Sequence, residues 1–233
     1  MARKNPSLPE ATATKPKDST RSKIVMAALR VFATRGFEAA SLKEITTASE
    51  TNVAAIHYHF GSKESLIREV LQTVADPINR LRIDMLERQP TGSSRTLEHV
   101  LEALLAPPIR LSADTTGDGR LLTRLILQAR ALPSEFTNTA LVQQYDSMAL
   151  HFVQALREAE PGLCEADAFW RYAFAIGAMH YIVADSDAAN HRLNRLSGGL
   201  CDTDDPEVIL RQLIAFVLAG MRARPASMPS PSP

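Results

Sequence analysis

Cysteine is almost missing from this 233-residue chain: Cys164 and Cys201 lie far apart and match neither a CxxC pair nor a zinc-ligand spacing. Long apolar runs are missing too. The longest candidates, Ala173–Ala184 and Ile209–Gly220 with its neighbours, fall short of the ~20 residues a membrane span needs. The N-terminal stretch MARKNPSLPEATATKPKDS has no apolar centre of the kind a secretory signal carries. Catalytic fingerprints are equally scarce, with no GxSxG, HExxH, Walker loop or Rossmann glycine pattern. His57 and His59 are too few and wrongly spaced for a zinc site of three or four ligands. His180 and Tyr181 could serve acid–base chemistry, but no carboxylate stands near them in sequence, and a hydrogen-bonded core histidine is the alternative. These absences predict a soluble cytoplasmic protein with reduced thiols, no metal, no cofactor, no membrane partner and no enzymatic activity. With 45% hydrophobic and 22% charged residues, the chain has material for one large or two small globular domains.

Lysine disappears after residue 63. All six lysines (Lys4, Lys15, Lys17, Lys23, Lys43, Lys63) lie in the first 63 residues, which hold ten basic against five acidic side chains, a net +5. The remaining 170 residues hold sixteen arginines against twenty-one acids, a net −5, so the formal charge of zero hides a polar division. A basic first quarter suits a polyanion partner; a basic tail that binds nothing is the bland alternative.

Helical periodicity dominates and predicts an all-α fold. Residues 1–18, with three prolines, read as a disordered basic arm, and residues 223–233 as a disordered tail. A first helix is predicted over Thr20–Arg35, with Ile24, Ala27, Ala28, Val31 and Phe32 on one face and Gly36 ending it. Ser41-Leu42-Lys43-Glu44 is a capping box that opens a second helix, ending near Ala48 or Ser49. Asn52 caps a third, Val53 to His59 or Phe60. Ser62 caps a fourth, running to about Arg88, which Pro77 should kink. A fifth helix, Arg95–Leu105, is expected to be interrupted at Pro107-Pro108. The sixth starts at Asp118 and ends at Ala131; the seventh runs from Pro133-Ser134 to about Glu160; the eighth spans Glu165–Asp185. A polar connection, Ser186–Thr203, leads to a ninth helix with Asp205-Pro206 as cap and first turn and an end near Met221. The domain reading is 19–63 for a small N-terminal domain and 64–222 for a larger helical one.

Three short helices with a tight turn before the third have the layout of a helix-turn-helix DNA reader. Within Val53–Phe60, Ile56 and Phe60 can face a core while Asn52, Val53, Ala54 and His57 face outward. Alanines let such a helix sit deep in a groove ~12 Å wide, and a valine can touch a thymine methyl. Lys63, in the first turn of the next helix, can reach a phosphate that the helix dipole also favours. Capped short helices also occur in bundles that bind no DNA. The run Tyr58-His59-Phe60-Gly61-Ser62-Lys63-Glu64-Ser65-Leu66 resembles the signature of TetR/AcrR-type transcriptional regulators, and AALRVFATRGFEAASLKEIT upstream is similar to the family's first two helices. The resemblance covers about residues 20–71. It implies that Tyr58 and Lys63 hold phosphates, that Asn52, Val53, Ala54 and His57 lie at base edges, and that Ser41 and Lys43 lie near the DNA backbone. His59 either caps or packs beside Phe60, or touches DNA. Arg3, Lys4, Lys15 and Lys17 either add phosphate or minor-groove contacts or are inert. One departure stands out: where the family usually has Ala-Gly-Val in the turn, this chain has Ser49-Glu50-Thr51. The glycine position implies a backbone that another residue adopts at a cost of about 1 kcal/mol.

The ninth helix, VILRQLIAFVLAGM, is apolar nearly all round, which fits burial against its own subunit on one side and a partner on the other, or a fully buried monomer core. Ala173 and Gly177, with Ala178 beside them, allow close helix approach. The family resemblance implies a homodimer built on the last two long helices and hence a pseudo-palindromic double-stranded DNA operator. It also implies a small-molecule effector pocket among the fourth to eighth helices. Candidate effector-binding residues are Tyr145, Met148, Phe152, Trp170 and Phe174, with Leu104, Ile109, Leu125, Leu127 and Tyr181 beside them, or these form plain core. Arg120, Arg124, Arg130 and His151 are possible anion anchors, or surface ion pairs. The segment from Pro161 through EADAFWRYAFAIGAMHY to FVLAGMRA is loosely similar to a fatty-acid- or acyl-CoA-responsive branch, which suggests an apolar or acyl-type effector. The expected function is a homodimeric DNA-binding regulator, a repressor released by that effector. A helical homodimer that binds no DNA, or a small-molecule-binding protein or enzyme using the C-terminal pocket, is the alternative.

Overall fold

The computed structural model describes residues 16–88, 95–114, 118–131, 135–186 and 191–224. The basic arm up to Lys15, the QPTGSS and TTGDG loops in large part, Pro133-Ser134 and the tail from residue 225 lie outside the described residues. Among the described residues every regular element is a helix: α1 Pro16–Arg35, α2 Leu42–Ser49, α3 Val53–Phe60, α4 Lys63–Glu87, α5 Leu97–Ser112, α6 Gly119–Ala131, α7 Glu135–Ala159, α8 Glu165–Asp185, α9 Arg192–Leu196 and α10 Pro206–Met221. The first starts at Pro16, four residues before the position expected from apolar spacing. Contacts group the chain into two compact units, Met1–Val70 and Leu71–Pro233, so the first two turns of α4 cluster with the helices before them.

In the first unit, Ile24, Ala28, Leu29 and Phe32 of α1 are fully buried, as are Ile45 of α2, Ile56 of α3 and Leu66 and Val70 of α4. Gly36 ends α1 in the left-handed region (φ 83°), its N–H donating to the Phe32 carbonyl at 2.8 Å. The rings of Phe32 and Phe37 then lie 5.5 Å apart and carry the core past the turn. Arg21 ties the three-helix unit together from outside, bonding Glu69 at 2.6 Å and lying 5.3 Å over the ring of half-buried Phe60.

In the second unit α5 is the central helix, buried over almost its whole length from Leu97 to Ile109 and packed on α6, α7, α8 and α10. It runs unbroken through Pro107 and Pro108, contrary to the interruption expected from the proline pair. A proline at 108 removes the N–H that would bond the Leu104 carbonyl. That carbonyl instead accepts from Nε of Arg82, a fully buried residue of α4, at 2.8 Å. The α5–α10 packing is fastened outside by Arg110, which bonds Glu207 through two nitrogens at 2.7 and 3.1 Å. Arg171 of α8 donates to the carbonyls of Met221 and Ala223 and so closes the end of α10. The short helix α9, absent from the expected set, stands where a polar connection was read. The Asp185 carboxylate receives the Leu193 N–H at 3.0 Å and holds its first turn.

Candidate functional site

The helix-turn-helix geometry is built by local capping. Ser41 accepts the Glu44 N–H at 3.2 Å while Glu44 accepts the Ser41 N–H at 2.9 Å, the reciprocal capping box. The same backbone bond, with the Ser41 hydroxyl and Arg35 nearby, holds the Glu44 carboxyl below its ordinary range. Asn52 caps α3 through its side-chain oxygen, which accepts the Ala55 N–H at 2.8 Å. Ser62 caps α4 by accepting the Ser65 N–H at 3.1 Å.

Between α2 and α3, Glu50 takes the left-handed conformation (φ 54°, ψ 41°) at the position where a glycine is usual. Its neighbours brace the turn with side-chain bonds. Ser49 donates to the Ile45 carbonyl at 2.8 Å and its hydroxyl lies 2.7 Å from that of Thr51, whose own N–H donates to the Thr46 carbonyl at 2.9 Å.

The outer face of α3 presents Asn52, Val53, Ala54, His57 and Tyr58, all exposed, with Tyr58 68% accessible, while Ile56 is completely buried behind them. His57 Nδ1 lies 2.9 Å from the Gly61 carbonyl, so it is His57 that meets the end of its own helix. His59 packs between the rings of Tyr58 (5.1 Å) and Phe60 (6.1 Å). Ser41 and Lys43 are exposed at the start of α2. Lys63 donates its Nζ to the Glu38 carbonyl at 3.1 Å, which parks the ammonium beside the α1–α2 turn.

The second unit holds two adjoining cavities. An inner one of about 40 Å³ is lined by Ile78, Arg82, Pro108, Thr123, Ile126, Leu127, Arg130, Tyr145, Met148, Tyr172, Ile176, Met179, His180 and Val183. An outer one of about 140 Å³ shares Thr123, Leu127 and Val183 with it and adds Ser112, Arg120, Arg124, Ala184 and Ser186. Burial, and the positive charges of Arg130 and Arg82, depress His180 to about 4, so its imidazole is neutral at ordinary pH. Burial pushes the phenols of Tyr145 and Tyr172 up.

Of the residues proposed from sequence for the effector, Tyr145 and Met148 line the inner cavity, and Arg120 and Arg124 the outer. His151 lines a separate open groove along α4 and α7 that also includes Asp76, Asp84 and Glu87. Phe152 is buried core and lines none of these. Trp170 and Phe174 stand outside the cavities, 63% and 65% exposed on α8, with rings 5.7 Å apart. An apolar helix with two apolar faces does not reveal by spacing which one turns inward. The inner cavity also gathers Arg130, one of the anion anchors read from sequence, together with Arg82, Tyr172 and His180, none of which was proposed as an effector residue. An arginine inside the periodic apolar pattern of α4 was the signal available for Arg82.

Cys164 and Cys201 are free thiols, and among the described residues no group of three or more His, Cys, Asp or Glu is placed to hold a metal. Among them, too, no helix is long and apolar enough to cross a membrane.

Comparison with known proteins places this geometry. Residues 24–70 match the model of bacterial regulatory proteins of the tetR family, and residues 102–220 the tetracyclin repressor-like C-terminal domain. The HTH-type transcriptional repressor NicS of Pseudomonas putida is 36% identical over 74 residues, covering 30% of this chain and 35% of its own. The HTH-type transcriptional regulator AcrR of Shigella flexneri is 29% identical over 125 residues, 54% of either chain. The chain thus spans about a third to a half of the length of these two curated relatives. The fatty acid degradation regulator FadR of Bacillus halodurans superimposes with a TM-score of 0.64 at 18% identity, over 91% of this chain and all of that one. A transcriptional regulator of Saccharomonospora viridis, solved with choline, gives 0.60 at 19% over 86% of this chain and 96% of that one. At those identities the two structures speak for the fold.

Proposed function

The chain belongs to the TetR family of bacterial transcriptional regulators, and from that premise we propose that it acts as a homodimeric, sequence-specific DNA-binding repressor released by a small-molecule effector. The observation that carries the reading is the outer face of α3: small and polar side chains on a capped, rigidly backed helix, at the end of the chain where the positive charge collects. Ala54 and Val53 let the backbone approach base edges, Asn52 and His57 offer hydrogen-bonding groups, and Tyr58 reaches sideways. The hydrogen bond that Lys63 gives up in exchange for a phosphate is one to a neutral carbonyl. Ser41 and Lys43 take phosphate positions at the start of α2.

Dimerisation is supported by what the single chain leaves exposed. Trp170, Ala173, Phe174, Gly177 and Tyr181 form a stripe on α8, and Ala215, Phe216 and Ala219 one on α10, with Phe216 71% accessible. Such apolar surface on two long helices calls for a partner. A second copy related by a two-fold axis would pair the readers and match a pseudo-palindromic operator.

The effector site is the pair of cavities in the second unit. Arg82 of α4 lines the inner one, and α4 continues without a break back to Lys63. A ligand with unequal affinity for two placements of that helix would shift the separation of the recognition helices. The elongated acyl effector suggested by sequence needs more room than the inner cavity offers. The named functions of structural neighbours differ from one another, so the ligand must be read from this chain's own residues.

Titrating a fluorescent duplex from the region upstream of the chain's own gene tests the reading. Tight binding with a steep salt dependence is expected. Lys63→Ala should weaken binding alike on all sequences and reduce the salt slope by about one. Salt-independent binding, or none, would falsify it.

A further inference from the structure

We propose that Arg82 is a carboxylate receptor, and that the ligand of this cavity is an organic acid whose head group enters the inner chamber while a compact body fills the outer one. The inference rests on the effector-site reading above and adds the chemical class of the ligand.

The side chain of Arg82 is only 3% exposed, yet it has no ion-pair partner among the described residues. Its Nε is taken by the Leu104 carbonyl. Its two terminal nitrogens face the thioether sulfurs of Met148, at 3.6 Å, and Met179, at 3.8 Å, which are weak acceptors. A guanidinium buried without an anion carries a desolvation penalty that one carbonyl and two sulfurs do not offset. The planar pair of terminal N–H groups is the fork that two carboxylate oxygens match.

The surroundings suit an incoming anion. Arg130 stands at the rim, its guanidinium 5.3 Å from the centre of the Tyr145 ring. His180, Tyr145 and Tyr172 are neutral and offer hydrogen-bonding atoms without charge. Asp76 and Asp146 act on the two tyrosines only as the smallest of the influences there.

Size narrows the class. About 40 Å³ holds roughly three waters, the room of a carboxylate rather than of a phosphate ester. The outer chamber's 140 Å³ is close to the ~150 Å³ that accommodates a benzene ring. Its wall carries Arg120, whose Nε is buried with no hydrogen-bond partner among the described residues, beside Ser112 and Ser186. A polar substituent on the body would satisfy it.

The test uses the full chain with benzoate and its uncharged counterpart benzamide, followed by thermal unfolding and calorimetric titration. Benzoate is expected to raise Tm in a concentration-dependent manner where benzamide does not. Arg82→Lys, which keeps the charge and loses the fork, should weaken benzoate at least tenfold. Should that variant not fold, Leu127→Trp, filling the wall between the chambers, should abolish the shift instead. Equal shifts from both compounds, a benzoate effect that survives these substitutions, or no effect of benzoate would each overturn the proposal. The operator duplex is titrated in parallel. A chain that binds benzoate through Arg82 but no duplex leaves the acid site standing and counts against the regulator reading alone. Duplex binding without any benzoate effect does the reverse.

Discussion

Glu50 holds a left-handed backbone without the side chain suited to it, and its carboxylate stands at the turn that enters the reader. Glu50→Gly should therefore raise stability by about 1 kcal/mol in urea unfolding and tighten operator binding by removing a negative charge. No change in either would show that the Ser49–Thr51 hydroxyl pair already relieves the turn. His180 supplies a pH test. In the folded chain burial lowers its pKa to about 4 from the ordinary 6.5, so between these two values the unfolded chain binds a proton that the folded chain refuses. Stability should be level above about pH 7 and fall as pH drops through that window, by roughly 3 kcal/mol. His180→Gln should flatten that part of the profile. The sequence reads His180 as a core histidine or an acid–base group; the burial that keeps it neutral, and the two arginines from α4 and α6 that add to it, are beyond the reach of local reading.

At the scale of elements, caps were legible and continuity was not. Ser41, Asn52 and Asp205 each do within four residues what their side-chain chemistry allows, so the starts of α2, α3 and α10 follow from local sequence. Asn52 is a cap in the structure, and the proposed function gives it a base contact as well. Asn52→Ala should cost about 1 kcal/mol of stability as well as base preference, whereas Asn52→Ser keeps the cap. If Asn52→Ser retains stability but loses discrimination at one base pair in a competition assay, the base contact is separated from the cap. If Asn52→Ser discriminates as the parent does, the residue is a cap and nothing more. The helix expected to stop before Pro107 continues because Arg82, from a different helix, supplies the donor that Pro108 lacks. Similarly, α9 has too few residues for a periodic signal and depends on the Asp185 carboxylate at the end of α8.

For the molecule as a whole, the division of charge and the division into units fall close together, near the beginning of α4. A dimer built on α8 and α10 would cover Trp170, Phe174, Tyr181 and Phe216, which one chain leaves in water. Phe216→Arg places a charge in the middle of that surface and should yield monomers in analytical ultracentrifugation, with circular dichroism unchanged and operator affinity greatly reduced. A dimer that persists in the variant would move the interface elsewhere. The double apolar character of these helices was plain from sequence. Assigning Trp170 and Phe174 to the outside and Tyr172 and Met179 to the cavity required the packed neighbours of α8.

The all-helical fold, the capped recognition helix and the family were determined by the sequence alone, because capping, helical periodicity and the Tyr-His-Phe…Lys run are relations between residues a few positions apart. What only the tertiary structure decided are relations across helices: which apolar face lies inward, how a proline pair is carried through α5, and where the arginines of a net-acidic segment meet. Arg82 shows the difference most clearly. In the sequence it is one arginine among twenty, and only the packing of α4 against α5, α7 and α8 makes it a buried cation without a counter-ion among the described residues. Burial and charge depend on neighbours that the chain brings together from far apart, and no local pattern encodes them.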